Sequence, residues 1–343
     1  MLRATMTSPG RIEFSDVPKP SAGDGEVLVR IRRIGICGSD IHVFHGKHPY
    51  TSYPVVQGHE FCAEVAKTGR NVTAVSAGDL VTATPQVTCG NCPPCREGKY
   101  NICDNLKVIG FQTGGVAQEY FVFPETSVLK LPPGTSPEVG ALVEPAAVAM
   151  HAVSRAGSVS GARVLVLGAG PIGNLVAQVA QCRGAADVLL TDISDYRLEI
   201  ARQCGVRHTV NARLAPPGAE ARKIFGQADV VFECVGSAQT AAQAVDCVRK
   251  GGVIVIVGVF AEPVPLDVGL IQDRELELRG TLMYRRDDYI DAIRALSAGD
   301  IHSQPLLTKC FPFREYPQAY DFIEANRERV MKVMMDLDEP AAN

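Results

Sequence analysis

The sequence predicts an α/β protein in two parts: a β-rich part built around candidate metal ligands, and a doubly wound parallel sheet. Three observations predict it. The chain has 343 residues, beyond the size at which one core usually stops growing, so two domains are expected. Its first part carries short strand-like runs cut by Gly and Pro. From residue 161, short apolar runs alternate with helix-patterned segments, as in a parallel sheet.

The elements follow in order. Glu26–Ile34 partly alternates apolar and basic residues, as a half-buried strand does, and Gly23 to Gly25 supply the turn before it. Phe61–Thr68 and Asp79–Thr84 read as further strands, separated by Gly69-Arg70-Asn71 and Gly78-Asp79. Ala141–Ala156 is apolar and helical, with one acid, Glu144, placed by Pro145 near a helix N-terminus. Val164–Leu167 is an apolar strand followed by Gly168-Ala-Gly170-Pro171-Ile172-Gly173. Ile172, Leu175, Val176 and Val179 then fall on one helix face. Val188–Thr191, Asp229–Phe232 and Val253–Val257 are the next strands. Tyr289–Leu296 and Tyr316–Ile323 carry helix-spaced apolar residues, and Val330–Met335 is a closing strand that should return to the first part.

Composition excludes little but sets the class. The chain is 46% hydrophobic and 21% charged, with net charge −4 and no basic block, which gives no basis for nucleic-acid or membrane-surface binding. The N-terminus has no apolar signal core. Runs such as Val253–Phe260 are too short to span a bilayer, so a cytoplasmic location is expected. The eleven cysteines are odd in number, in a long chain, which argues against a disulfide framework. Cys62, Cys182, Cys204, Cys234, Cys247 and Cys310 sit in largely apolar surroundings and are expected to be small buried hydrophobes.

Three motifs carry chemistry. Cys37, in Gly-Ile-Cys-Gly-Ser-Asp, precedes Gly58-His59-Glu60 by about 20 residues. A thiolate, an imidazole and a carboxylate with one position left open is how a catalytic zinc is usually held. Cys89, Cys92, Cys95 and Cys103 crowd into a loop forced by Gly90, Pro93 and Pro94. Four thiolates can close around one tetrahedral zinc, the mark of a structural site; an iron–sulfur cluster uses the same ligand type. The glycine fingerprint Gly168, Gly170, Gly173, with Pro171 and Ile172 opening its helix, lies between strand and helix. It has Asp192 at the end of the next strand, which marks dinucleotide binding. Asp192 should accept from both adenosine ribose hydroxyls and repel a 2′-phosphate, so NAD is expected over NADP; Arg197 is the cation near enough to count the other way. Cys234, Val235, Gly258 and Val259 lie just past strand ends, where such sheets bind ligands.

Taken in order, Cys37-Gly-Ser-Asp, Gly58-His-Glu, the four-cysteine lobe and the Gly168 fingerprint resemble the zinc-dependent medium-chain dehydrogenases over essentially the whole chain. The resemblance implies a GroES-like β-rich catalytic domain (1–150 and 282–343, with the structural zinc lobe at 86–106) interrupted by a Rossmann domain (151–281). Leu142-Val-Glu144-Pro145 is similar to the polyol and sugar-acid branch, the sorbitol dehydrogenase-like enzymes, in which a glutamate stands where typical alcohol dehydrogenases place a third zinc ligand as cysteine. There Cys37, His59 and Glu60 match the ligands. Glu144 matches a residue that binds zinc directly or holds its water. The implied activity is reversible oxidation of a secondary hydroxyl to a ketone with hydride transfer to NAD, two zinc ions per subunit, and a homo-oligomer, dimer or tetramer. Ser39 and His42 match the proton-relay position, Ser39 acting first, and Asp40 would orient the zinc ligands. His45 lies just before, and His48 within, the Gly46–Pro54 loop expected to border the substrate. An L-threonine dehydrogenase shares the same pattern, and a catalytically silent NAD-binding relative, as among lens crystallins, is the reading from another class. Val253–Val257 and Leu276–Tyr284 are the segments expected to pair across a subunit boundary.

Overall fold

The computed structural model describes residues 1–338. It divides into two compact units. The first comprises Met1–Glu144, Arg285–Ser297 and the chain from Leu307; the second comprises Pro145–Tyr284 and Ala298–Leu306. The return of 298–306 to the second unit lies outside the sequence-based boundary, and local hydrogen bonds explain it. The Gln178 carboxamide accepts from the His302 amide at 2.7 Å, and the Cys182 thiol donates to the Asp300 carbonyl at 3.1 Å.

The first unit is organised around the strand Glu26–Ile36. It pairs antiparallel with Glu60–Thr68 on one side, and on the other with Tyr120–Pro124 along its first half and Lys332–Asp336 along its second. The sheet runs on through Leu80–Ala83 to Val128–Lys130, and through Lys332–Asp336 to Leu307–Pro312. Val27, Val29, Ile31, Phe61, Val65, Phe123 and Met335 fill its core. Val27, Leu28 and Val29, and again Ile34, Gly35 and Ile36, are buried in succession, so both faces of the strand are covered at its two ends and it is more apolar there than alternation alone predicts. This arrangement sets the site. The strand ends beside Cys37, and its Gly35 stands directly opposite Glu60. Ile36 stands opposite Val333, one residue after Lys332. Motifs far apart in sequence thus meet at one corner of one sheet.

The second unit holds six parallel strands in the order His208–Asn211, Asp187–Asp192, Arg163–Leu167, Ala228–Glu233, Val248–Ile256, Glu277–Gly280. Numbered within the unit this is 3-2-1-4-5-6, the doubly wound dinucleotide-binding order. Leu165, Leu167, Leu189, Val231 and Ile254 form its core with Ala244 and Val245 of the helix Ala238–Cys247.

Two expectations need correction. The strand Val248–Ile256, which holds all of Val253–Val257 but its last residue, is paired on both sides, by Ala228–Glu233 and by Glu277–Gly280, so its backbone groups are already used and Glu277–Gly280 presents the edge there. Of the six cysteines expected in the core, Cys62, Cys204 and Cys247 are buried, Cys234 and Cys310 are half-buried and Cys182 is exposed. Cys182 is the last residue of its helix, Cys234 lies beyond a strand end, and Cys310 is on the outermost strand Leu307–Pro312.

Candidate metal and dinucleotide sites

Cys37 caps the short helix Gly38–Phe44, and its amide donates to the Asp40 carboxylate at 2.9 Å. The cap places the thiol at the end of the central strand, facing the Gly58-His59-Glu60 segment. One ligand atom each from Cys37, His59 and Glu60 falls within 4.8 Å of the others. Glu60 has room because its cross-strand partner is glycine: a Cβ on Gly35 would stand 2.3 Å from a Glu60 carboxylate oxygen. Asp40 is fully buried, and its Oδ1 lies 3.6 Å from His59 Nδ1, beyond hydrogen-bond distance but close enough to act on the ring electrostatically.

Charge explains what this corner demands. Burial opposes a proton on His59, but Asp40 and Cys37 more than offset that and hold the imidazole well above its ordinary range. A buried cluster of thiol and carboxyl groups that pulls a proton onto its histidine is short of positive charge. A zinc ion meets that need with ligands it prefers. Glu144 lies outside the group of three that closes within 4.8 Å, yet its charge acts on both His59 and Lys332. It is buried, in the first turn of Val143–Arg155. Ser39 and His42 stand three apart on the Gly38–Phe44 helix, hence on one face, with Ser39 half-buried and His42 exposed. His45 lies against Glu324 at 3.3 Å, and His48 stacks on Phe111, whose ring in turn lies 4.8 Å from that of His59.

Sequence reading missed one functional residue here. Lys332 is 3% exposed, and its ammonium donates to both Glu60 oxygens at 2.7 Å and to the Ile36 carbonyl at 3.3 Å. Burial pulls this ammonium down, but Glu60, with Cys37 and Glu144, holds it above its usual range. The signal was present: one lysine inside an otherwise apolar strand is almost never fully buried unless paired.

The second cluster is compact by the same measure. Cys89, Cys92, Cys95 and Cys103 place their sulfurs within 4.8 Å of one another. The contacts Cys92–Cys103 at 3.8 Å and Cys89–Cys103 at 3.5 Å are too long for disulfides. Backbone amides of Asn91 and Cys92 pull the Cys89 thiol down to about 6, whereas desolvation and the adjacent Cys92 and Cys103 push Cys95 up to about 12. Four sulfurs so close cannot all ionise without a cation, and a tetrahedral metal supplies one.

In the second unit the fingerprint closes tightly. A Cβ on Gly173 would stand 1.9 Å from the Gly168 carbonyl oxygen, so the third glycine is what lets the helix Pro171–Cys182 pack against the first turn. Gly170 is the N-cap of that helix, and Ile172 lies in its first turn. The Asp192 carboxylate accepts from the Ala169 amide at 2.7 Å and the Ser194 amide at 2.8 Å. Its four lone-pair positions leave room for further donors. Arg197 Nη1 lies 4.0 Å from it. Cys234, Val235, Gly258 and Val259 follow the ends of adjacent parallel strands, on the same sheet edge as Gly168 and Asp192. Glu233, which sequence reading also missed, is fully buried. It accepts from the Val235 and Gly236 amides at 2.9 Å and the Thr240 hydroxyl at 2.7 Å, fixing the loop that carries Cys234 and Val235.

Comparison with known proteins identifies the family. Residues 23–133 match the alcohol dehydrogenase GroES-like domain and residues 171–298 the zinc-binding dehydrogenase domain. D-xylulose reductase of Saccharomyces cerevisiae is 37% identical, with 91% of each chain covered. This chain belongs to the zinc-dependent medium-chain dehydrogenases. L-galactonate-5-dehydrogenase of Escherichia coli is 34% identical over 91% of this chain and 92% of its own. Among solved structures, a Sinorhizobium meliloti zinc-binding dehydrogenase bound to NADP superposes with a TM-score of 0.90 at 30% identity, covering 98% of both chains. An Escherichia coli short chain alcohol dehydrogenase complexed with NADH gives 0.92 at 28% identity, covering 98% of this chain and 99% of its own. As a medium-chain dehydrogenase, the chain is a nicotinamide-dependent oxidoreductase. None of its described helices is long and apolar enough to cross a membrane.

Proposed function

We propose that this dehydrogenase reversibly oxidises a secondary hydroxyl of a polyol or sugar acid to the ketone, with NAD as its cofactor and one zinc ion in each cysteine-bearing cluster. The convergence of Cys37, His59 and Glu60 within 4.8 Å, under the charge of Glu144, carries this reading. The polyol and sugar-acid names of the relatives support the substrate class. When bound, zinc supplies a Lewis acid that lowers the pKa of a substrate hydroxyl, and the dinucleotide supplies the hydride acceptor.

The chain's own residues do the rest. Cys37, His59 and Glu60 would hold the metal, Glu60 also pairing with Lys332, and Glu144 would stand beside it as a further ligand or a partner for its water. Ser39 accepts the hydroxyl proton first and hands it to His42, whose exposure suits exchange with solvent. Gly168, Gly170, Pro171, Ile172 and Gly173 receive the pyrophosphate, Cys234, Val235, Gly258 and Val259 border the cofactor, and Asp192 accepts from the ribose. The Asp192 carboxylate, which would repel a 2′-phosphate, supports NAD over NADP, with Arg197 bordering the same position at 4.0 Å. We also infer that the chain assembles with copies of itself through the unpaired edge of Glu277–Gly280, beside which Leu278 and Leu282 are exposed. A native mass of one chain would contradict that assembly.

The test is cofactor reduction across alditols, inositols, hexonates and L-threonine, with NAD and with NADP, before and after a strong chelator. The expected result is NAD reduction with a polyol or hexonate that the chelator abolishes. Turnover of L-threonine alone, or turnover untouched by full zinc removal, would contradict the reading.

A further inference from the structure

Behind the Cys37–His59 corner lies a chain of buried polar groups. Gln57 is 2% exposed, and Tyr316 and Tyr320 are buried. The Tyr320 hydroxyl donates to Gln57 Oε1 at 2.8 Å. That bond fixes the orientation of the amide, so Gln57 Nε2 faces Asp40. There it donates to the Asp40 carbonyl at 3.1 Å and, more weakly, to Oδ1 at 3.4 Å. Asp40 Oδ1 is the oxygen that faces His59 Nδ1, while Oδ2 receives the Cys37 amide. The Tyr320 ring also stacks on Phe44, with ring centroids 4.5 Å apart, and Phe44 is the last residue of the helix that Cys37 caps. One tyrosine therefore grips both segments that carry candidate ligands.

Such groups are costly to bury unless every partner is in place. An apolar pair would fill the same volume without that requirement. What the polar pair adds is direction: a defined donor aimed at the carboxylate behind the histidine. Partners of that kind orient metal-ligating histidines, and losing one typically costs 10- to 100-fold in metal affinity.

We propose that Gln57 and Tyr320 are positioning residues for the Cys37–His59 metal site. The Tyr320 hydroxyl locks the Gln57 amide, and the amide holds the Asp40 carboxylate against the His59 ring. The inference rests on the metal-site reading above.

The test is zinc release from the purified enzyme into excess chromogenic chelator, in wild type, Tyr320→Phe and the double variant Gln57→Leu/Tyr320→Phe. Wild type should release two ions in separate phases, one from the Cys37–His59 site and one from the four-cysteine lobe. In Tyr320→Phe the first phase should quicken about tenfold while the lobe phase stays put, which a general loosening of the fold would not produce. The double variant leaves no orphaned amide, so its melting temperature should recover toward wild type while its first phase stays fast. A wild-type release rate in Tyr320→Phe, both phases quickening together, or recovery of slow release in the double variant would overturn the proposal. Release of one ion only from wild type would overturn the metal-site reading itself.

Discussion

Replacing Glu144 by alanine is expected to lower turnover by about 100-fold or more, the usual scale for a group that positions or transfers a proton in the transition state. NAD affinity should stay close to that of wild type, since Glu144 belongs to the unit that holds Cys37 and His59 and not to the fingerprint loop. The carboxylate is buried and its charge reaches His59 and Lys332, so it is placed to act on whatever joins the metal. Stopped-flow measurement of the first turnover, with cofactor dissociation measured separately, checks both halves. Unchanged turnover would remove Glu144 from the site, and a matching loss in cofactor affinity would recast it as structural.

Replacing Lys332 by methionine is expected to destabilise the zinc-free enzyme by about 3–5 kcal/mol, the cost of stranding one member of a buried ion pair. Its partner is unambiguous, because both Glu60 oxygens lie 2.7 Å from the ammonium and both side chains are almost fully buried. In that zinc-free state, adding Glu60→Gln should recover much of the loss, because it removes the uncompensated charge. The sign of the pH dependence follows. Lys332 is raised above its ordinary 10.5 in the folded state, so its contribution is fully present below that value and is lost as pH climbs through the folded pKa. Stability attributable to this pair is therefore flat across neutral pH. Urea unfolding at several pH values would show it. A loss below about 1 kcal/mol would mean that the pair is effectively solvated.

The parts of this enzyme that were legible in the sequence are those where one residue type has few structural uses. A Gly-x-Gly-x-x-Gly between an apolar strand and a helix has one common explanation, and the strand order of the second unit agrees with it. Four cysteines in a short loop have few others. The parts that stayed hidden depend on long-range pairing. Lys332 reaches Glu60 only because the C-terminal strand inserts beside Glu26–Ile36, a register that local pattern does not encode. Glu233 looked like an ordinary strand end until its side chain turned back to hold the Val235 and Gly236 amides. Gln57 and Tyr320 are 263 residues apart, and nothing near either names the other. The pairing expected for Val253–Val257 failed for a related reason: an apolar run shows that a strand is buried, not whether it lies at an edge.

The measurement that tests the account most directly is zinc per chain, by elemental analysis, in wild type and in Cys37→Ser. The account predicts about two ions in wild type and about one in the variant, the remaining ion held by the four cysteines as a closed structural site. Two ions in both proteins, or none that depends on Cys37, would contradict it.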